Sequence, residues 1–167
     1  AFSYLKRNLW IMPNPGDCGS SLGCIPAVTK ERLNWKGPFL GYNIEGEYPV
    51  DNIIKELETN KMVGVANGRA EFGPRALGNR SLLADPRGAE VKDMVNAIKK
   101  RQKFRPFAPA ILLEDVHDYF DMPQETSPYM QFVGKCKYPK EFPAIIHADG
   151  TSRVQSVTKE DHEGFYN

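Results

Sequence analysis

The sequence predicts an α/β domain with a mixed, twisted open sheet and flanking helices, and three observations lead there. Helix-period and strand-period segments alternate along the chain, without the strict rhythm of repeated βαβ units. Two amphipathic helical stretches, Val50–Lys61 and Ala89–Gln102, are each followed by a short apolar run of strand character. The chain has 167 residues, 41% hydrophobic and 26% charged, which is enough to bury one core.

Taken in order, the elements have separate justifications. Tyr4–Met12 mixes apolar and basic residues and reads as a short strand, ended by the turn Pro13-Asn-Pro-Gly16. The small residues from Gly16 to Gly23 form a loop that leads into a helix. Thr29–Pro49 lacks a sustained period and reads as a connector. In Val50–Lys61, Asp51 is placed to cap a helix whose face carries Val50, Ile53, Ile54 and Leu57. Met62–Ala66 follows as a buried strand, and Asn67–Gly88, dense in Gly, Arg and Pro, as irregular chain.

Ala89–Gln102 presents Val91, Met94, Val95 and Ile98 on one side, and Pro106 and Pro109 prevent its continuation. Ala110–Leu113 reads as a strand and Asp115–Asp121 as a helical turn. Further strands are expected at Tyr129–Gly134, Ala144–Ile146 and Arg153–Val157, with Asp149-Gly150 a hairpin signal.

The formal net charge of +1 is a cancellation. Residues 1–68 balance, residues 69–105 carry +6, and residues 106–167 carry −5. Six of the nine arginines fall in that central segment, and clustered guanidinium groups suit phosphate or carboxylate recognition. No run of about 18 apolar residues is present, which excludes a membrane-spanning helix. Cys18, Cys24 and Cys136 cannot all pair and match no zinc spacing, so a reducing, cytoplasmic setting is expected.

Three stretches carry chemistry. In Gly68–Ser81, Arg69, Arg75 and Arg80 lie among glycines that permit close backbone approach to a ligand. The pattern is neither a P-loop nor a dinucleotide fingerprint. The plainer alternative pairs these arginines with Glu71, Asp85 and Asp93. In Lys99–Phe107, Lys99 and Arg101 end a helix, while Arg105 lies between Phe104 and Pro106 in a segment read as buried, where its charge needs a partner. Arg153 opens the last strand and matters if the sheet turns it toward the loop arginines. His117, His147 and His162 have no catalytic partner by spacing.

At these residues the chain resembles a known family. The strings Glu71-Phe-Gly-Pro-Arg-Ala-Leu-Gly-Asn-Arg-Ser81, Ala84-Asp-Pro-Arg87, Lys99-x-Arg-x-x-Phe-Arg-Pro-Phe-Ala-Pro109, Ser127-Pro-Tyr-Met130 and Asp149-Gly-Thr-x-Arg-Val-Gln155 occur in register. Together they resemble the O-carbamoyltransferases of the nodulation-protein, cephamycin and nebramycin type. The resemblance implies residues 1–28 as the tail of an actin-like transferase domain and 29–49 as a connector. Residues 50–167 would be an incomplete carbamoyl-adenylate-forming domain, similar to the threonylcarbamoyl-adenylate synthase fold. Both ends read as cuts, and the family's Asn-Thr-Ser-Phe-Asn motif would lie beyond the last residue. The isolated chain is therefore expected to be impaired or inactive.

The resemblance further implies that carbamoyl phosphate and ATP, with Mg2+, give carbamoyl adenylate and pyrophosphate, after which a small hydroxyl-bearing acceptor takes the carbamoyl group. It assigns catalytic roles to Lys99 and Arg105, and substrate or nucleotide binding to Arg69, Arg75, Arg80, Arg101 and Arg153. Asp17 matches a metal ligand whose histidine partners this chain lacks, so iron or another divalent ion is expected only in the complete protein. The alternative reading is a non-catalytic module that grips nucleic-acid phosphates. The small overall charge and the lack of an aromatic-interleaved basic stripe beyond Phe104–Phe107 weigh against it.

Overall fold

The computed structural model describes residues 11–167 and is a mixed α/β structure of small sheets with flanking helices. All but the last two residues of the strand expected at Tyr4–Met12 lie outside the described range. Helix α1 (Asp17–Thr29) buries only Gly19. Strand β1 (Asn43–Ile44) interrupts the expected connector and pairs antiparallel with β3 (Gly68–Arg69). Helix α2 (Val50–Asn60) matches its amphipathic pattern, yet Pro49 occupies the N-cap and Asp51 makes no capping bond because it lies inside the first turn. Ile53 is buried on this helix, whereas Ile54 is 49% exposed.

Strand β2 (Met62–Ala66) pairs antiparallel with β4 (Arg80–Ala84), in register from Met62 opposite Ala84 to Ala66 opposite Arg80. The stretch expected to be irregular thus contains two strands, and residues 67–79 form the tip of a ribbon. Helix α3 (Ala89–Ile98) ends four residues before the expected Gln102. Val91 and Val95 are buried, but Met94 and Ile98 face solvent, so the inward stripe is narrower than the pattern suggested.

Strand β5 (Ala110–Leu112) pairs parallel with β9 (Gln155–Val157). A 3-10 turn (Leu113–Asp115) and helix α4 (Val116–Tyr119) lead to β6 (Phe120–Asp121). Strand β6 joins β7 (Val133–Cys136) and β8 (Thr151–Arg153) in an antiparallel three-stranded sheet. The strand expected at Tyr129–Gly134 is displaced toward β7, with Met130 in the left-handed region at φ 58°. Ala144–Ile146 is not a strand: Pro143 starts a 3-10 turn there, as a residue without a donor N–H readily does.

The last expected strand is split. Val154, fully buried, separates β8 from β9, and the two halves belong to different sheets. Its N–H donates to the Phe132 carbonyl at 3.3 Å. The core gathers at this seam, where Phe120, Cys136, Ile145 and Val154 pack with Phe107, Ile111, Met122, Phe142 and Ile146. Helix α5 (Lys159–Tyr166) closes the described chain, and Thr158 Oγ1 caps it by accepting from the Asp161 N–H at 3.1 Å. No described helix is long and apolar enough to cross a membrane.

Candidate anion-binding site

The arginines of the central basic segment, together with Arg153 beyond it, divide into those bound to backbone carbonyls or a carboxylate and those bound to neither. Arg80 belongs to the first kind. Its Nη1 donates to the carbonyls of Asn67 and Asn79, and its Nη2 to those of Tyr42 and Gly68, at 2.8–3.2 Å. One guanidinium thereby closes the ribbon tip against the preceding chain, which suits a planar fork with five donors. Arg69 donates to the Leu40 carbonyl at 3.0 Å and is otherwise exposed. Arg87 forms two 2.8 Å bonds to the Asp85 carboxylate, which Lys61 also approaches at 3.4 Å.

Arg75, Arg101, Arg105 and Arg153 form the second kind. Arg153 ends β8 at the seam, with its Nε buried and lacking a hydrogen-bond partner among the described residues. Burial, and then the positive charges of Arg75, Arg101 and Arg105, push its guanidinium below the usual range. Arg153 thus feels the positive charge of each of the other three. Partial burial followed by Arg105 lowers Arg101, and loss of solvent followed by Arg101 lowers Lys99. Among the described residues, no ion pair engages any of the five.

The cluster is assembled from two loops and a strand end. Fully buried Asn96 organises the turn after α3: its Nδ2 donates to the carbonyls of Lys103 at 3.2 Å and Arg105 at 2.9 Å. Its Oδ1 accepts from Arg101 Nε at 2.5 Å, and the Arg101 guanidinium lies 4.6 Å from the centre of the Phe107 ring. Arg105 itself is exposed and Phe104 is 76% exposed, so the expected burial of this segment does not occur. Asn96 holds the backbone of the turn, and the side chains of Phe104 and Arg105 project from it.

The other loop, residues 71–80, is wrapped around a carboxylate. Glu71 Oε1 accepts the N–H groups of Leu77, Asn79 and Arg80 at 2.7, 2.9 and 3.2 Å. Gln155 Nε2, at the start of β9, donates to the Leu77 carbonyl at 3.1 Å. Glu71 and Asp85, weighed from the sequence as partners of the loop arginines, are thus occupied by backbone N–H groups and by Arg87 with Lys61. Asn96 was not singled out from the sequence. Its signal was a polar residue on the inward side of a helix, between Val91, Val95 and the basic turn.

Five positive groups have no carboxylate partner among the described residues, and one of them has a buried unpartnered donor. Chemically the arrangement can hold phosphate oxygens and stabilise negative charge that develops on them. A metal centre has no comparable basis among the described residues. Asp17 stands exposed at the start of α1, and no group of three or more His, Cys, Asp or Glu residues that could hold an ion occurs among the described residues.

Residues 54–167 match the family model described as carbamoyltransferase C-terminus. The chain is similar to the nodulation protein NolNO of Sinorhizobium fredii, with 41% identity over 89% of this chain and 22% of that protein. It is similar to the nodulation protein NolO of Bradyrhizobium diazoefficiens, with 36% identity over 99% of this chain and 36% of that protein. A third relative, nodulation protein U of Sinorhizobium fredii, is 36% identical over 93% of this chain and 30% of its own length. The chain thus spans between 22% and 36% of the length of these relatives.

Proposed function

Because the chain belongs to the carbamoyltransferase C-terminus family, we propose that it forms the carbamoyl-activating part of an ATP-dependent O-carbamoyltransferase. Carbamoyl phosphate loses its phosphoryl group to water, and the resulting carbamate oxygen attacks the α-phosphorus of ATP. The bond to the β-phosphate breaks and pyrophosphate leaves, giving carbamoyl adenylate. A hydroxyl of a small acceptor then attacks the carbamoyl carbon, and AMP departs.

The observation that carries this reading is the unneutralised cluster of Arg75, Lys99, Arg101, Arg105 and Arg153. Both reactants are polyanions, and adenylate formation crowds further oxygens onto the α-phosphate, so fixed positive charge lowers the barrier more than an acid or base would. Lys99 and Arg105 are assigned to the reacting groups, and Arg75, Arg101 and Arg153 to phosphate binding. Arg69 and Arg80 hold the surrounding chain through their bonds to backbone carbonyls, and contribute to binding through that loop. Mg2+ enters with the nucleotide phosphates. Asp17 would ligate a metal only together with donors from elsewhere in a longer protein. Three cysteines, a number that cannot pair completely, support a reducing, cytoplasmic setting.

The test is carbamoyl-phosphate-dependent exchange of labelled pyrophosphate into ATP, measured on the full-length protein. Arg105→Ala and Lys99→Ala are each expected to reduce exchange by about 100-fold or more, the usual cost of removing a donor aimed at developing charge. Exchange equal to wild type in both variants would overturn the reading.

A further inference from the structure

His162 lies in α5, away from the arginine cluster, but it is bound to the loop that carries Arg75. Its ring is enclosed by Phe39, Tyr48 and Phe165, with centroids 5.3, 5.3 and 5.8 Å away. The Phe165 N–H donates to Nδ1 at 3.0 Å, so Nδ1 carries no hydrogen and Nε2 does. Nε2 faces Asn79 Oδ1 at 2.5 Å and is therefore the donor in that bond. Burial pushes the imidazole below its ordinary value, which keeps this neutral tautomer.

Asn79 passes the constraint on. Its Nδ2 donates to the Arg69 carbonyl at 2.9 Å, and its own N–H is one of the three that Glu71 gathers. The neighbouring Gly78 carbonyl accepts from the Tyr48 hydroxyl at 2.8 Å. Gly78 has φ 126°, and its Cα is pressed so closely by Phe165 that an added Cβ would lie 2.8 Å from the ring. The exit of the 71–80 loop is thus clamped between α5 and Tyr48, while Arg75 lies half-buried at its middle.

We propose that His162 is a positioning residue for anion binding: its hydrogen bond to Asn79 fixes the 71–80 loop in the shape that brings Arg75 to Arg153. The inference rests on the anion-binding role proposed for that cluster. His162 brings no charge to the site and acts only through the loop.

Two substitutions separate the bonds of the ring. In His162→Asn, the shorter amide still accepts from the Phe165 N–H but does not reach Asn79. In His162→Gln, the amide nitrogen reaches the position of Nε2 and donates to Asn79. Calorimetric titration of the full-length protein with inorganic pyrophosphate is expected to show about tenfold weaker binding for His162→Asn, the equivalent of one lost hydrogen bond. His162→Gln should stay within about threefold of wild type. In an Arg75→Gln background, His162→Asn should weaken binding no further.

Wild-type affinity in His162→Asn, equal losses in the Asn and Gln variants, or an undiminished effect without Arg75 would each overturn the positioning role and leave the proposed function standing. Absence of pyrophosphate binding by the wild-type protein would overturn both.

Discussion

Two arginine sites, one in the basic stretch and one in the acidic remainder of the chain, differ in what surrounds the guanidinium. Arg87 lies against Asp85, which is only 7% exposed, and Lys61 supplies a second cation to that carboxylate. Hydrogen bonds from Arg87 hold the Asp85 carboxyl well below the usual carboxylate range, with Lys61 adding to the effect. Arg153, by contrast, faces three other arginines. The first site uses its charge to join β2, β4 and the chain entering α3. The second keeps its charge at the expense of folding stability, because like charges in a partly desolvated region repel. Neighbours therefore separate a structural arginine from one that the proposed function assigns to a ligand, which a count of arginines alone does not do.

The largest expected effect breaks the binding half of this contrast. Arg153→Met should weaken carbamoyl-phosphate binding to the full-length protein by about 100-fold, comparable to losing a charge-assisted hydrogen bond. The melting temperature should stay constant or rise, since the substitution removes repulsion and the buried unpartnered Nε. A large drop in melting temperature would place Arg153 with the structural arginines.

The next effect breaks the structural half. Asp85→Asn should destabilise the fold by about 2 kcal/mol in urea titration, since it weakens paired hydrogen bonds to a buried carboxylate. Anion affinity should stay at the wild-type value. The sign of the pH dependence follows from the depressed carboxyl pKa. Its contribution is complete above the unfolded carboxylate value near ~3.9 and is lost as pH falls further. Wild-type stability should therefore decline steeply below that value, and Asp85→Asn should flatten the decline. A decline of unchanged steepness would assign acid sensitivity to another group.

Part of the fold was legible in the sequence, and the limits have physical causes. Helix α2, strand β2, strand β5 and the Asp149-Gly150 turn follow from local period and turn chemistry, which a single stretch of chain determines. The split at Val154 does not, because alternation through residues 153–157 reads as one strand. Only packing from Phe132 and the core divides it between sheets. The charge excess of residues 69–105 takes in Arg75, Arg101 and Arg105 but not Arg153, whose nearness to them depends on how the sheet turns it. The use of Arg80 on backbone was hidden as well, since one of its acceptors, Tyr42, lies 38 residues away. His162 carried no local signal because its partner Asn79 is 83 residues distant.

The smallest effect concerns the clamp that joins the two halves. Burial, and then the negative charge of Glu71, raise the Tyr48 hydroxyl to about 12. A phenol whose folded value exceeds its unfolded value of about 10 favours the fold below that pH. The benefit is lost as pH rises through about 12, where ionised oxygen no longer donates to the Gly78 carbonyl. Tyr48→Phe should cost about 1 kcal/mol near neutrality, the worth of one hydrogen bond, and should remove the loss of stability specific to that alkaline interval. Circular dichroism melts of both proteins between pH 8 and 12 would measure it. An alkaline decline of the same size in Tyr48→Phe would show that Tyr48 does not govern it, and that the clamp on Gly78 is carried by the packing of Phe165 instead.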